Sequence, residues 1–431
     1  MALLITAPRG TRDILPNQTP QWRYLEETLL QVAGRFGFQE IRVPTFEYTE
    51  LFCRSVGDTT DVVNKEMYTF EDKGGRSITL RPEGTAGLCR AVIQNGLLAE
   101  ALPVRLTYIL SCFRYEKPQS GRFREFTQFG VEMYGAVLAT ADCEIIALAY
   151  QALRALGLET IELEINSIGC KECRPHYHQT LQEYFEDERQ KLCPTCLERL
   201  EKNPLRILDC KNPACGQIAG GAPKVLDHLC DGCQQHFDNV KSLLEVAGIP
   251  FVVNSGIVRG LDYYTRTVFE LIYTDSYGKK LVCGGGGRYG GLLEQLGGPN
   301  LEGIGFAMGL DRLVSVLEAE GCSFPADKGC ELYLASMGSQ AQQQAFQLAC
   351  TLRQAGLAVQ CNLMERSLKA QMKYADKIGA HYVCVLGEDE LNKGECLLKN
   401  MATGETIPLP LDKRATQVIV AQIAANSRTL Q

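Results

Sequence analysis

The sequence predicts an α+β fold: a mainly antiparallel sheet in the larger part of the chain, a Cys-rich insertion, and a separate small α/β unit at the C-terminal end. Three observations predict it. Strand-like segments gather in clusters instead of alternating strictly with helices, which favours an antiparallel sheet over a doubly wound one. Residues 170–235 differ in composition and hold eight of the 19 cysteines. From about residue 331 the rhythm becomes β-α-β-α-β, the pattern of a small parallel sheet. A chain of 431 residues is also too long for one average core.

The elements follow in order. Thr19-Pro20 opens a helix with a capping hydroxyl and Pro at the first helical position. Leu25, Leu29, Val32, Ala33 and Phe36 then share one apolar face, and Gly37 ends it. Residues 40–43 alternate as a strand that Pro44 stops. This helix–strand unit is either core or a subunit interface. Further strands are expected at 77–80, 104–113, 126–134, 160–165, 268–273 and 303–307, with helices at 84–95 and 141–155. In the last part, strands at 331–337, 358–363 and 382–386 alternate with two helices. One carries Ala341, Ala345, Leu348, Ala349 and Leu352 on a single face, and the other covers 369–378. Residues 322–328 are the expected linker. The expected division is therefore 1–169 and 236–325 for the sheet domain, 170–235 for the insertion and 329–431 for the terminal unit.

Composition excludes several classes of function. No apolar run reaches the roughly 18 residues needed to span a bilayer. Residues 1–5 are apolar but lack a basic lead and soon meet Pro8-Arg9-Gly10, so no signal peptide is expected. The cysteines are expected to be reduced thiols of a cytoplasmic protein rather than disulfides. A net charge of −7 argues against a general basic coat and leaves room for a local basic face. From Lys328 onward, 11 Lys and Arg stand against 9 Asp and Glu. That excess suits a surface that meets an anion, and it also suits ordinary scatter of solvated charge. No GxxxxGK[ST] loop is present, so any ATP is not held in a P-loop.

Five constellations carry chemistry. In Leu80-Arg81-Pro82-Glu83-Gly84-Thr85 a strand ends, and a carboxylate and a hydroxyl precede a helix. Glu83 either binds an ammonium group, with Thr85 as a second acceptor, or caps the helix. The second runs from Phe113-Arg114-Tyr115-Glu116 through a polar loop to Phe126-Thr127-Gln128-Phe129-Gly130-Val131-Glu132. Period 2 puts Arg114 with Glu116, and Phe126 with Gln128, Gly130 and Glu132. That face is too polar for a core; it is either a solvated sheet face or an arginine-bearing phosphate site. The third, Val258-Arg259-Gly260-Leu261-Asp262-Tyr263-Tyr264, packs one Arg, one Asp and two Tyr around a glycine. It is either a buried ion pair or a pocket for a flat polar ring. The fourth, Cys283 to Gly291, is a glycine run, a close-approach strand or a loop. In the fifth, a Gly-rich strand from Gly303 runs into a helix with Arg312 in its first turn. A cation there opposes the helix dipole, which an anionic or π-rich ligand explains better than stability does.

Together these segments resemble the class II aminoacyl-tRNA synthetases over nearly the whole chain. The helix–strand–Pro44 unit resembles their first motif, residues 113–132 the second and residues 303–313 the third. Residues 80–85 and 258–264 resemble stretches specific to the histidine enzymes of that class. The glycine run is one residue longer than the usual pattern, with Gly290 where Asp or Asn is common. The resemblance implies a six-stranded antiparallel sheet, a C-terminal anticodon-binding domain, a homodimer without membrane attachment, and ATP with Mg2+, L-histidine and tRNA(His) as ligands. It implies roles as well. Glu83, Thr85 and Gln128 would hold the α-amino group. Glu132 and Tyr264, beside Tyr263, would read the imidazole. Arg259 and Arg114 would be catalytic, flanking the carboxylate and the α-phosphate. Phe126 and Arg312 would sandwich adenine, Arg122 and Glu116 would attend the ATP tail, and residues 117–119 would meet the acceptor end. The chemistry fits this cast: adenylation joins two anions, so it needs positioning and positive charge rather than a protein nucleophile. A histidine-binding regulatory relative would be expected to lack Arg259 and the terminal α/β unit, and both features stand in this sequence.

The insertion adds Cys170-x2-Cys173, Cys193-x2-Cys196, Cys210-x4-Cys215 and Cys230-x2-Cys233. Such spacing is a zinc signal, and eight thiolates would fill two structural four-Cys sites. The alternative is that they are small core hydrophobes.

Overall fold

Alternation of buried side chains builds the main sheet. In β6 (Glu125–Tyr134), Phe129, Val131 and Met133 enter an apolar core, while Gln128, Gly130 and Glu132 face the other way. The computed structural model describes residues 5–56, 60, 62–117, 121–210, 212–257, 263–324 and 329–427. It divides into two units, Met1–Pro325 and Ala326–Gln431.

In chain order the first unit holds β1 (Gln39–Glu40), β2 (Phe46–Tyr48), β3 (Tyr68–Glu71), β4 (Ser77–Leu80), β5 (Val104–Phe113) and then β6. It continues with β7 (Ile161–Ser167), β8 (Val252–Val253), β9 (Tyr264–Thr274), β10 (Lys280–Tyr289) and β11 (Gly303–Gly309). The large sheet runs β1-β5-β6-β11-β10-β9-β7-β8. Its six central strands are antiparallel throughout. The two-residue edge strands β1 and β8 pair in parallel, so the sheet is mixed rather than purely antiparallel. A second sheet, β2-β4-β3, leads into the Thr85–Gln94 helix.

Helices Thr19–Arg35, Ala139–Ala155, Asp231–Val246 and Leu310–Ala319 bury their apolar faces against one side of the large sheet. On the other side lie the Thr85–Gln94 helix and a cluster rich in tyrosine. Several sequence expectations need correction. Thr19 is not a cap: Gln18 precedes the helix, and the Thr19 hydroxyl donates to Pro16 O at 3.1 Å. The strand expected over 40–43 shrinks to β1, one further bond from Ile41 N–H to Thr107 O continuing the pairing before Pro44, which has no N–H. Arg114 and Glu116 lie beyond the end of β5 rather than on it. The glycine run is strand β10, with register shifts between Val282 and Gly284 and between Gly287 and Tyr289, where bulges absorb irregular length.

The insertion has its own small core, in which Tyr177, Leu181, Phe185, Leu200 and Ile207 pack with Cys196 and Cys215. The second unit holds β12 (Leu332–Ser336), β13 (Val359–Cys361), β14 (Tyr382–Leu386), β15 (Glu395–Asn400) and β16 (Thr406–Pro410), ordered β13-β12-β14-β15-β16. The expected parallel trio is present, and an antiparallel hairpin extends it. Among the described residues, no helix is long and apolar enough to cross a membrane.

Candidate active site

The site grows from two turns and two strands. After β4, Arg81 ties the chain down by donating to Ser111 O (2.6 Å), Val43 O (2.8 Å) and Pro44 O (2.9 Å). Glu83 then accepts from Thr85 N–H and Ala86 N–H, both at 2.8 Å. It therefore caps the following helix, as one reading of the sequence had it, while each carboxylate oxygen keeps a further lone pair. The Thr85 hydroxyl donates to Glu132 Oε1 at 2.6 Å, and the Tyr289 hydroxyl donates to Glu132 Oε2 at 2.6 Å. Glu132 is only 2 % exposed. Burial pushes its pKa up to about 8, against the pull of both hydroxyls, with Glu83 adding to the rise. Burial also raises Glu83. A buried acid with so raised a pKa, beside a second acid that burial also raises, is poised for a ligand that brings positive charge.

Tyrosines enclose this group. Tyr263 and Tyr264 are both buried, with ring centroids 4.7 Å apart, and Tyr263 lies 5.4 Å from Tyr289. Tyr289 was not among the expected site residues. It stands at the end of the glycine run on β10, with β11 between it and the strand of Glu132, a neighbourhood the sequence does not display.

Beside the buried group opens a cleft of about 390 Å³ whose walls include Arg114, Glu116, Arg122, Phe126, Gln128 and Arg312. The structure thus brings together every residue assigned to ATP from the sequence. Glu83, Thr85, Glu132, Tyr263 and Tyr264 are not on that wall; they form the adjoining buried group. Arg114 links the two, donating to Pro82 O at 2.8 Å while its guanidinium lies 5.4 Å from the Phe126 ring. Glu116 sits 3.2 Å from Arg122 and 3.9 Å from Arg114. Arg312 donates to Val282 O, and burial followed by the charge of Arg122 draws it below the usual guanidinium value. Cations crowded in this way suit an anion. Asp311 is already engaged by Arg12 (2.8 Å) and Thr127 N–H (2.9 Å). Residues 258–262, with Arg259, and residues 118–120 of the expected acceptor-end loop lie outside the described residues. Arg206 and Asp209 of the insertion also line the cleft, which spacing alone gave no means of finding.

The eight insertion cysteines separate into two groups, Cys170, Cys173, Cys230, Cys233 and Cys193, Cys196, Cys210, Cys215. Within each, the sulfurs lie within 4.8 Å of one another. Cys170 is 3.8 Å from Cys173 and 3.9 Å from Cys230, and Cys193 is 3.9 Å from Cys210. A tetrahedron with Zn–S of about 2.3 Å has edges of about 3.8 Å, so the thiols fit such an ion.

An antiparallel six-strand core with an arginine-lined cleft on the face away from its main helices is the architecture of the class II aminoacyl-tRNA synthetases. The family model described as histidyl-tRNA synthetase matches residues 10–172 and 194–313, and the anticodon binding domain model matches residues 331–419. The histidine–tRNA ligase of Caldanaerobacter subterraneus subsp. tengcongensis is 49% identical over 411 residues, 95% of this chain and 98% of that one. That of Caldicellulosiruptor bescii is 51% identical over 399 residues, 93% and 94% of the two chains. The crystal structure of apo histidyl-tRNA synthetase from S. aureus is 38% identical, with a TM-score of 0.84, covering 96% of this chain and all of that one. The chain belongs to the histidyl-tRNA synthetase family, the class II enzymes that ligate histidine to tRNA in translation.

Proposed function

We propose that the chain joins L-histidine to tRNA(His) through a histidyl-adenylate, with the buried group holding histidine and the cleft holding MgATP. One observation carries this division. A doubly hydrogen-bonded, nearly neutral Glu132 lies beside a pocket wall whose cations are crowded. Glu83, Thr85 and Gln128 take the ammonium group; Thr85 donates to Glu132 and keeps its lone pairs for it. Glu132 and Tyr264, with Tyr263, read the imidazole, whose two nitrogens suit an acceptor and a hydroxyl. Arg114 draws the histidine carboxylate and the α-phosphate together, Arg259 stabilises charge on the pentavalent phosphorus, and the bond from that phosphorus to the bridging oxygen breaks to release pyrophosphate. Phe126 and Arg312 take adenine; Arg122 and Glu116 take the ATP tail. The terminal 3′-hydroxyl of tRNA then attacks the adenylate carbonyl and releases AMP.

Three further readings belong here. The two cysteine groups each hold a structural Zn2+; sulfur spacings near a tetrahedral edge support this. When bound, the ion cross-links four thiolates and stabilises the insertion. Such thiols suit the reducing cytoplasm. The chain works as a homodimer, for which the exposed aromatics Phe46, Tyr48 and Phe70 on the β2-β4-β3 sheet offer an apolar face. ATP–pyrophosphate exchange that depends on L-histidine, and on no other amino acid, tests the central reading. Exchange without histidine dependence would sink it.

A further inference from the structure

We propose that Arg174 is a positioning residue of the histidine pocket: it fixes the backbone of Tyr264, and Cys170, Cys173, Cys230 and Cys233 hold it in place. The first half rests on the reading of Tyr264 as an imidazole contact; the second rests also on the metal reading.

Tyr264 stands where the sheet needs a further anchor. β9 and β10 pair Val268 with Gly287 and Tyr264 with Tyr289, so the stretch from Tyr264 to Val268 faces only the stretch from Gly287 to Tyr289. The surplus bulges out between them, and Arg266 there has a positive φ of 50°. A bulge interrupts the ladder and bends the strand, so pairing with β10 alone sets the aim of the Tyr264 ring loosely. On its other side β9 pairs with β7 as far as Thr267 and Ser167. Two bonds carry that pairing on, from Ile168 N–H to Arg266 O and from Arg266 N–H to Gly169 O, both at 2.8 Å. Beyond Arg266, the Arg174 guanidinium takes the next hold by donating to Tyr264 O. The ring above that carbonyl is buried and lies 4.7 Å from the ring of Tyr263, which lies 5.4 Å from that of Tyr289. Tyr289 in turn donates to Glu132. A shift at Tyr264 O therefore moves the tyrosine cluster that encloses the buried acid.

Arg174 owes its own place to the first cysteine group. Gly169 has a φ of +69°, and a Cβ there would lie 2.8 Å from Cys173 Cβ. This left-handed turn folds the chain back, so that the helix Cys173–Asp187 begins against the end of β7. Arg174 N–H donates to Cys170 O at 3.1 Å, and Cys230 N–H donates to Cys173 Sγ at 3.1 Å. Cys230 and Cys233 stand at the head of the helix Asp231–Val246, whose Phe237, Val240 and Leu244 are buried in the main core. With an ion bound, the four thiolates fasten the start of the Arg174 helix to that core. Cys193, Cys196, Cys210 and Cys215 stand apart, with Cys196 and Cys215 in the separate core of the insertion. They provide the control.

The test uses the full-length, zinc-loaded chain in pyrophosphate exchange, with histidine and ATP varied separately. R174A should raise the KM for histidine about fivefold and leave kcat and the KM for ATP within about twofold, the pattern of lost substrate binding. R174K, which keeps a donor without the planar fork, should fall between. Zinc content equal to the parent's certifies that the insertion of R174A is folded. Y264F should raise the KM for histidine about tenfold, the worth of one neutral hydrogen bond. R174A added to Y264F should cost less than about twofold more, because the two changes remove one contact. C170S should lose about one zinc per chain and weaken histidine binding, read by calorimetry, as R174A does. C196S should also lose about one zinc, yet bind histidine within about twofold of the parent. R174A with normal zinc and an unchanged KM for histidine overturns the assignment. An undiminished effect of R174A in the Y264F chain overturns the route through Tyr264. C170S that loses its metal yet binds histidine like the parent, or C196S that weakens binding as much as C170S, overturns the role of the first cysteine group. A parent chain without zinc defeats the metal reading and the cysteines' part with it, and R174A still decides the rest. A parent whose exchange ignores histidine defeats the reading of the pocket, and this proposal with it.

Discussion

Glu132→Gln separates the stability cost of the buried acid from its use. The folded pKa is about 8, against an ordinary value of 4.5. Below about pH 4.5 both folded and unfolded chains hold the proton, and the group adds no pH dependence. Between there and about pH 8 the unfolded chain releases the proton and the folded chain keeps it. Stability therefore falls by about 1.4 kcal/mol for each pH unit and levels off above about 8. The amide that replaces the acid is neutral in both states, with an oxygen to accept from one hydroxyl and an NH2 to donate to the other. The advantage of E132Q over the parent should then widen by about 3 kcal/mol between pH 5.5 and 8.5. Denaturant titrations of both chains at several pH values, followed on the transition of the sheet domain, measure the gap. A gap that stays constant across that range refutes the reasoning, because it leaves no proton for the folded state to retain. The same variant should raise the KM for histidine at least about tenfold, since the amide cannot give up a proton to become an anionic acceptor when a positively charged ligand enters.

Two predictions concern residues with other roles. Arg259→Ala should cut adenylation about 10³-fold, the usual cost of one transition-state donor; pyrophosphate exchange falling less than tenfold would remove Arg259 from that role. Protein purified without chelators should contain about two zinc ions per chain by metal analysis, and a content below about 0.3 would return the cysteines to their reading as small core residues.

The strands were legible because burial alternates cleanly along them. Residues 77–80, 104–113 and 382–386 were read with the limits that the structure gives. The β15–β16 hairpin was missed, although Cys396 and Leu398 alternate inward and a Thr403-Gly404 turn follows. The run is short, and the β-α-β rhythm before it sets a competing expectation. At the site, side chains within one motif could be grouped from period 2, as with Gln128 and Glu132. Pairings across 47 or 157 positions, Thr85 with Glu132 and Tyr289 with Glu132, could not. They depend on which strands become neighbours, and β6 meets β10 only through β11. Glu83 shows a different limit. Its two readings, helix cap and ammonium ligand, are not rivals, because a carboxylate has enough lone pairs for both.

The glycines of the site strands gain a physical meaning from the same geometry. A Cβ at Gly305 would lie 2.0 Å from Glu132 Oε2 and 2.3 Å from Val131 O. A Cβ at Gly130 would lie 2.3 Å from the ring of Tyr108. Those contacts are impossible, so the carboxyl and the ring occupy volume that any other residue would claim. In a sequence such glycines read as weak points of a strand or as loop formers. Here they let an acid be buried inside a sheet, against strands rather than beside them. Burial is what lifts Glu132 to about 8. The absence of a side chain on β11 is therefore one origin of the acid–base character of the neighbouring strand. The electrostatics of this buried group are set by packing as much as by charge, since among the described residues no ion pair reaches Glu132 and its partners are two neutral hydroxyls.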